Sequence, residues 1–173
     1  MARLPNRGGE VNRYAYNFVD QMVRKTPIRG SVLEVGSLNV NGSVRPLFAD
    51  KDRFPTYVGI DIREGPDVDL VMNSHHLSYP SESWDIIVSC DTLEHDSRPW
   101  ESLKEFHRVL RPNGWLVVVM SGIGFHEHHY PSDYWRATTN GLRELMKYGG
   151  FNVSNAQAIP TNLVCGLGRR NHG

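Results

Sequence analysis

Cysteine is scarce in this chain: 173 residues contain two, Cys90 and Cys165. They are far apart and flanked by strand-forming residues, so they read as small core residues in a reducing compartment, and a disulfide framework is excluded. Charge of one sign is also missing. With 19 basic and 19 acidic side chains the formal net charge is +0, which gives no support to a broad electrostatic grip on nucleic acid. No apolar run approaches the roughly 18 residues of a membrane span, and the N-terminus lacks the apolar stretch of a signal peptide. The expected location is therefore cytoplasmic, with no membrane contact. Absent too is any Gly-x-Gly-x-x-Gly, which disfavours a nicotinamide-dependent reductase.

What remains is ordinary for one folded unit: 39% hydrophobic and 22% charged residues, in a length that suits a single domain. Residues 1–9 are basic and glycine-containing and read as a mobile N-terminal segment. Val11, Tyr14, Ala15, Phe18 and Met22 recur at helical spacing, so 11–24 is an amphipathic helix, ended by Pro27 and Gly30. Strands are expected at Val32–Val35, Thr56–Asp61, Val68–Met72, Asp85–Cys90 and Trp115–Met120. A helix over 42–49 would place Val44, Leu47 and Phe48 on one side. Another follows Asp96 and Ser97, which can cap it, with Pro99 in its first turn and Leu103, Phe106 and Leu110 as its inner stripe. Arg111-Pro112-Asn113-Gly114 is a turn in which proline presets φ and Asn-Gly tolerates a reversal. A loop rich in histidine and aromatics spans 121–137. Thr138 or Thr139 opens the last helix, which Gly149-Gly150 stops.

Two strand-like pieces close the chain, Phe151–Ile159 and Asn162–Gly168. The short link around Pro160 permits only an antiparallel pair. Strands alternating with helices imply a doubly wound, mostly parallel α/β sheet with helices on both faces, here finished by an antiparallel hairpin.

The region 31–61 runs as a buried strand ending in an acid and a glycine, a polar turn, and a second strand ending in Asp61. That arrangement builds a nucleoside pocket. The turn brings backbone near the ligand, and the Asp61 carboxylate offers two acceptor oxygens to a ribose diol. The flanking motifs are Val32-Leu33-Glu34-Val35-Gly36, Tyr57-Val58-Gly59-Ile60-Asp61, Trp84-Asp85-Ile86-Ile87-Val88-Ser89, Thr92-Leu93-Glu94-His95 and Phe106 through Gly114. In this order and spacing the chain resembles a class I S-adenosylmethionine-dependent methyltransferase, small, single-domain and similar to methyltransferase type 11, from about Val32 to the C-terminus.

The resemblance implies a seven-stranded Rossmann-like sheet with a reversed seventh strand, one methyltransferase domain over 10–173, and S-adenosylmethionine at the carboxyl ends of the first strands, leaving as S-adenosylhomocysteine. It implies that Glu34 orients the methionine part of the cofactor and that Gly36, Ser37, Asn41 and Gly42 form the first loop. Asp61 holds the ribose, and Ile62 with Arg63 packs on adenine. Asn73 and the Leu77 amide face the adenine edge, and Cys90 and Asp91 face the methyl group. The chain departs from the family pattern in one place: Leu38 and Val40 stand where the second and third loop glycines would fall. Asn39, Asn41 and Gly42 must then make the turn.

Methyl transfer needs positioning and removal of the acceptor's proton. His95 and His126 are the candidate bases, with Asp91 the weaker alternative, and the Glu94-His95 pair reads equally as a loop anchor. His128, Asp133, Tyr134, Trp135 and Arg136 would line the acceptor site. Metal binding by the histidine-rich segment and a substrate lid both remain open. The segment lacks a His-x-x-x-His spacing and a nearby cysteine pair, so no metal site is assigned and the lid reading is adopted. The expected acceptor is a small or sugar-like molecule methylated on oxygen or nitrogen. A nucleic acid is not expected, because the fourth strand ends in Ser89-Cys90-Asp91-Thr92 and not in an Asn/Asp-Pro-Pro-Tyr-type motif. A homo-oligomer is allowed. The alternative is a non-catalytic module that binds the nucleoside and acts as an assembly or regulatory partner.

Overall fold

The computed structural model describes residues 13–40, 42–129 and 131–171. The N-terminal segment 1–9, Val11, Asn41 and Tyr130 lie outside the described residues. Helix α1 spans Arg13–Lys25 and buries Ala15, Phe18, Val19, Met22 and Val23. That is a single stripe at helical spacing, which is why this stretch coils and docks. Strand β1 follows at Val32–Val35, β2 at Tyr57–Asp61 and β3 at Leu70–Val71. Strand β4 covers Trp84–Cys90, helix α2 Pro99–Val109 and β5 Leu110–Ser121. Helix α3 is Thr139–Tyr148, β6 is Phe151–Ile159 and β7 is Leu163–Arg170.

The strands form one seven-stranded sheet in the order β3-β2-β1-β4-β5-β7-β6. The first five are parallel, and β7 is antiparallel to both β5 and β6. The closing hairpin therefore inserts its second strand beside β5 and leaves its first at the edge. Side-chain alternation divides the core in two. Leu33, Val35, Ile60, Ile87, Leu116 and Val118 face Leu103 and Phe106 of α2 and Leu142 and Met146 of α3. Val32, Ile86, Val88, Val117 and Val119 face α1. Both faces of β4 and β5 are thus covered, as their nearly unbroken apolar sequence requires.

Several elements differ from the sequence expectation. The 42–49 helix is one 3-10 turn, Arg45–Phe48. Pro46 supplies no amide to a longer helix, and Arg45 is drawn sideways onto Asp69 at 2.6 Å and the Asp67 carbonyl at 2.7 Å. The strand expected over 68–72 pairs only at Leu70 and Val71, both exposed at the sheet edge. Neither Asp96 nor Ser97 caps α2. Arg98 occupies that position, and Asp96 accepts from the Arg98 amide at 2.8 Å, one residue early. Leu110 opens β5 and is not the last residue of the helical stripe. Other expectations match in detail. Asn113 is left-handed at φ 64°, and four residues are looped out between the Leu110 and Trp115 pairings with β4. The Thr138 hydroxyl caps α3 by accepting from the Gly141 amide at 2.9 Å. Among the described residues no helix is long and apolar enough to cross a membrane.

Candidate active site

The carboxyl ends of β1, β2, β4 and β5 meet on one rim, where the strand order reverses on either side of β1. In open parallel sheets that crevice is where ligands bind. Glu34 is buried within β1. Its Oε2 accepts from the Tyr57 hydroxyl at 2.6 Å. Burial raises its carboxyl to about 7, against the lowering effects of the Tyr57 hydrogen bond and the Arg45 charge. Opposite Glu34 on β2 is Gly59, where a Cβ would meet the Asp67 carbonyl at 2.5 Å and Ser37 at 2.7 Å. The chain then turns sharply. Gly36 has φ +83°, and a Cβ there would lie 1.9 Å from the Thr92 hydroxyl. Thr92 Oγ1 donates to the Cys90 carbonyl at 2.8 Å and lies 3.2 Å from that of Val35, fastening the tips of β1 and β4 together.

The first loop keeps its shape without the missing glycines. Asn39 Oδ1 accepts from the Gly42 amide at 2.8 Å, and its Nδ2 donates to Asp67 at 2.8 Å. Gly42 takes φ +114°. Leu38 lies against Gly65, where a Cβ would come within 2.2 Å of it. Ser37 is buried against Gly59, and its hydroxyl has no partner among the described residues. Beside this loop opens a cavity of about 610 Å³ whose walls include Asn39, Gly42, Arg45, Tyr57 and Asp67.

Asp61 stands at the tip of β2, half-buried, with Oδ1 accepting from the Arg63 amide at 3.1 Å. Ile62 is exposed next to it. Asn73 is exposed and uses its side-chain oxygen to accept from the His75 amide at 2.9 Å. His75 meets Asp96 at 2.6 Å, so it ties this loop to the start of α2. The Leu77 amide is already committed, donating to Glu105 at 2.9 Å. The adenine contact expected of it would require that bond to break.

Cys90 closes β4 half-buried, and burial pushes its thiol well up. Both cysteines are free. Asp91 follows with a left-handed backbone, φ 49°, which turns it onto the rim. It is exposed on one side, yet the protein packed around it and then the charge of Glu94 raise its carboxyl to about 7. Glu94 is fully buried and accepts through Oε1 from the amide and hydroxyl of Ser121, at 3.0 and 2.7 Å. His95 holds the Ser132 carbonyl with Nδ1 at 2.6 Å.

The 121–137 segment folds back over this wall. The Glu94 carbonyl accepts from the Tyr134 and Trp135 amides at 2.8 and 3.2 Å. Trp135 Nε1 donates to the Asp96 carbonyl at 2.7 Å. The His128 ring meets the His95 ring edge-on, with centroids 4.7 Å apart. His126 lies flat on Phe125 and is exposed. Asp133 is the knot of the segment. It takes Arg136 at both oxygens, each 2.5 Å away, and accepts from the His128 amide at 2.7 Å. Arg136 holds its carboxyl far below the usual range. Arg136 also reaches the carbonyls of Phe125 and His126. A second cavity, of about 300 Å³, is lined by Phe125, Glu127, Asp133, Tyr134, Trp135 and Arg136. Asp61 is not among the residues lining either cavity.

Residues 33–118, spanning β1 to most of β5, match the family model described as a methyltransferase domain. The chain belongs to the class I S-adenosylmethionine-dependent methyltransferases. Solved structures agree on the fold. A chain of the complex between the Haloferax volcanii Trm112 methyltransferase activator and a methyltransferase is 17% identical. It aligns over 93% of this chain and 92% of its own, with a TM-score of 0.72. Burkholderia thailandensis 1,6-didemethyltoxoflavin-N1-methyltransferase, with bound 1,6-didemethyltoxoflavin and S-adenosylhomocysteine, is 16% identical. It aligns over 93% of this chain and 80% of its own, with a TM-score of 0.76. A SAM-dependent methyltransferase from Aquifex aeolicus is 16% identical over 90% and 89%, with a TM-score of 0.66. No curated protein matches the sequence. The cofactor of this methyltransferase is S-adenosylmethionine.

Tyr57, Thr92, Glu94 and Ser121 enter the site without having been singled out as site residues. Tyr57 carried a usable signal, since it opens the strand that lies beside Glu34. The Glu94-His95 pair was visible, but its contact with His128 depends on how the loop after β5 folds back.

Proposed function

We propose that this methyltransferase moves a methyl group from S-adenosylmethionine to an oxygen or nitrogen of a small acceptor held against the Glu94–His95–His128 wall. The observation that carries this reading is the juxtaposition of two surfaces on one rim. The Gly36 turn with the Asp61 carboxylate makes one, and the half-buried imidazoles with Asp91 make the other.

In this reading Asp61 accepts from both ribose hydroxyls. The first loop, Gly36 through Gly42, lies along the methionine part, and Glu34 faces its ammonium group. Asn73 and Ile62 border adenine, and Cys90 lies behind the sulfonium. Asp133 and Arg136 brace the lid, and Tyr134 and Trp135 give it flat surfaces. The acceptor's lone pair attacks the methyl carbon in line with the C–S bond. The new O–C or N–C bond forms as C–S breaks, the bonding pair stays on sulfur, and neutral S-adenosylhomocysteine leaves.

The acceptor's proton passes to Asp91. Of the three candidate bases, Asp91 stands on the rim at the end of β4, and its raised carboxyl suits proton transfer near neutrality. His95 is pinned through Nδ1 and holds the acceptor, while His126 is stacked outward on Phe125.

The test is formation of S-adenosylhomocysteine by the full chain with a panel of small polyols, phenols and amines. Turnover with one class and not the others is expected. Binding of the cofactor with no turnover on any acceptor would favour the non-catalytic module instead.

A further inference from the structure

The geometry points to a divalent transition-metal site formed by Glu94, His95 and His128, on the acceptor side of the rim. One ligand atom from each residue lies within 4.8 Å of the other two. A tetrahedral ion with bonds of about 2.0–2.1 Å needs ligand atoms roughly 3.4 Å apart. Both imidazoles are half-buried and His128 belongs to the lid, so ion binding would draw the lid side chain inward.

Three independent features fit the assignment. First, Glu94 is fully buried and only one of its oxygens is satisfied. Ser121 donates twice to Oε1, and Oε2 has no hydrogen-bond partner among the described residues. An unpaired buried carboxylate oxygen is costly unless a cation joins it.

Second, both histidines are turned the same way. His95 Nδ1 faces the Ser132 carbonyl at 2.6 Å, and a carbonyl can only accept, so this nitrogen carries the proton. His128 Nδ1 faces the His126 carbonyl and Asp133 Oδ2, both at 3.2 Å, with the same consequence. That leaves Nε2 as the nitrogen of each ring with which an ion could bond. A ring nitrogen fixed by a carbonyl or carboxylate is the usual support of a metal-bound histidine.

Third, the cation that could replace an ion is already engaged. Arg136 is spent on Asp133 and on the carbonyls of Phe125, His126 and Trp135.

Two imidazoles and a carboxylate, without thiolate, suit Zn²⁺, Mn²⁺, Fe²⁺ or Co²⁺ and leave coordination positions open. Residues 125–136 alone carry no metal-ligand spacing. The set assembles only when His128 meets a pair from the far end of β4. The role of the ion rests on the proposed acceptor reading: an acceptor hydroxyl on an open position would lose its proton more readily. Binding of the ion itself does not rest on that reading.

The test is titration of the full chain with Co²⁺, followed by visible ligand-field absorption and calorimetry, with S-adenosylhomocysteine binding measured separately. One Co²⁺ per chain is expected, displaced by Zn²⁺. Affinity should drop by roughly tenfold or more in His128→Ala and in Glu94→Gln, and stay unchanged in His129→Ala, an exposed neighbour. His128→Ala alters only the lid, so misfolding does not confound it. Absence of a ligand-field band, or a Co²⁺ affinity indifferent to His128→Ala, would overturn the site. If S-adenosylhomocysteine binds while Co²⁺ does not, the metal inference fails and the methyltransferase reading stands. If Co²⁺ binds and the nucleoside does not, the reverse holds.

Discussion

Replacing Glu34 by glutamine should stabilise the protein at alkaline pH while weakening its hold on the cofactor. Glu34 is 4% exposed and its carboxyl is raised from an ordinary 4.5 to about 7, chiefly by burial. For an acid shifted upward the folded state holds the proton more tightly than the unfolded chain. Its contribution is therefore fully present below 4.5 and is lost as pH rises through about 7. The whole interval corresponds to roughly 3 kcal/mol at about 1.36 kcal/mol per pH unit. Between pH ~5 and ~8 the loss is about 2.5 kcal/mol. Glutamine keeps the acceptor for the Tyr57 hydroxyl and never ionises. Its own packing cost is independent of pH and cancels when the two pH values are compared. Denaturant melts of parent and Glu34→Gln should therefore differ by about 2–3 kcal/mol more at pH ~8 than at pH ~5. In thermal melts this is a swing of roughly 5–10 °C for a domain of this size. An unchanged difference between the two pH values would refute the claim that burial raises this carboxyl above its ordinary range. The retention of such an acid is the expected signature of a site that trades stability for function.

Three further outcomes follow from the same geometry. If Glu34 faces the cofactor's ammonium group, binding favours its ionised form. Calorimetry near pH ~7 in buffers of different ionisation enthalpy should then show net proton release, lost in Glu34→Gln. Asp91→Asn should lower turnover by about 100-fold or more while S-adenosylhomocysteine affinity stays close to that of the parent; retained turnover would remove Asp91 as the base. Arg136→Ala leaves Asp133, whose side chain is 2% exposed, without its bidentate partner, at a local cost of about 3 kcal/mol. Limited proteolysis at neutral pH should then cut within 126–134 in the variant. In the parent, the depressed Asp133 carboxyl stabilises the lid above the ordinary carboxylate range and releases it only in strong acid.

Much of the scaffold was legible because it depends on local pattern. Val32–Val35 is four apolar or buried positions between a glycine turn and Gly36, and it is a strand over those residues. The hairpin was forced by the shortness of its link, and Asn113-Gly114 marked a reversal that Asn113 makes at φ 64°. The losses lie where a distant partner decides. The amphipathic pattern at 42–49 could not reveal that Arg45 would be held by Asp67 and Asp69, on the loop after β2. Nothing around Leu77 announces that Glu105, on α2, will take its amide. The site shows the same division. The positions of Glu34 in β1 and of Asp61 at the end of β2 were readable, because an acid near a strand end is a property of one segment. The meeting of Glu94, His95 and His128 was not, because it needs the loop after β5 to cross the tip of β4. The Tyr134 and Trp135 amides secure that crossing by donating to the Glu94 carbonyl.

Isothermal titration of S-adenosylhomocysteine into the parent and Asp61→Ala proteins tests most directly whether a nucleoside is held at the tip of β2. Two hydrogen bonds to a carboxylate, at about 1.5 kcal/mol or more each, predict one bound molecule per parent chain and a loss of roughly 100-fold or more in the variant. Equal affinity in the two proteins, or no heat in the parent with either S-adenosylmethionine or its demethylated product, would contradict that placement.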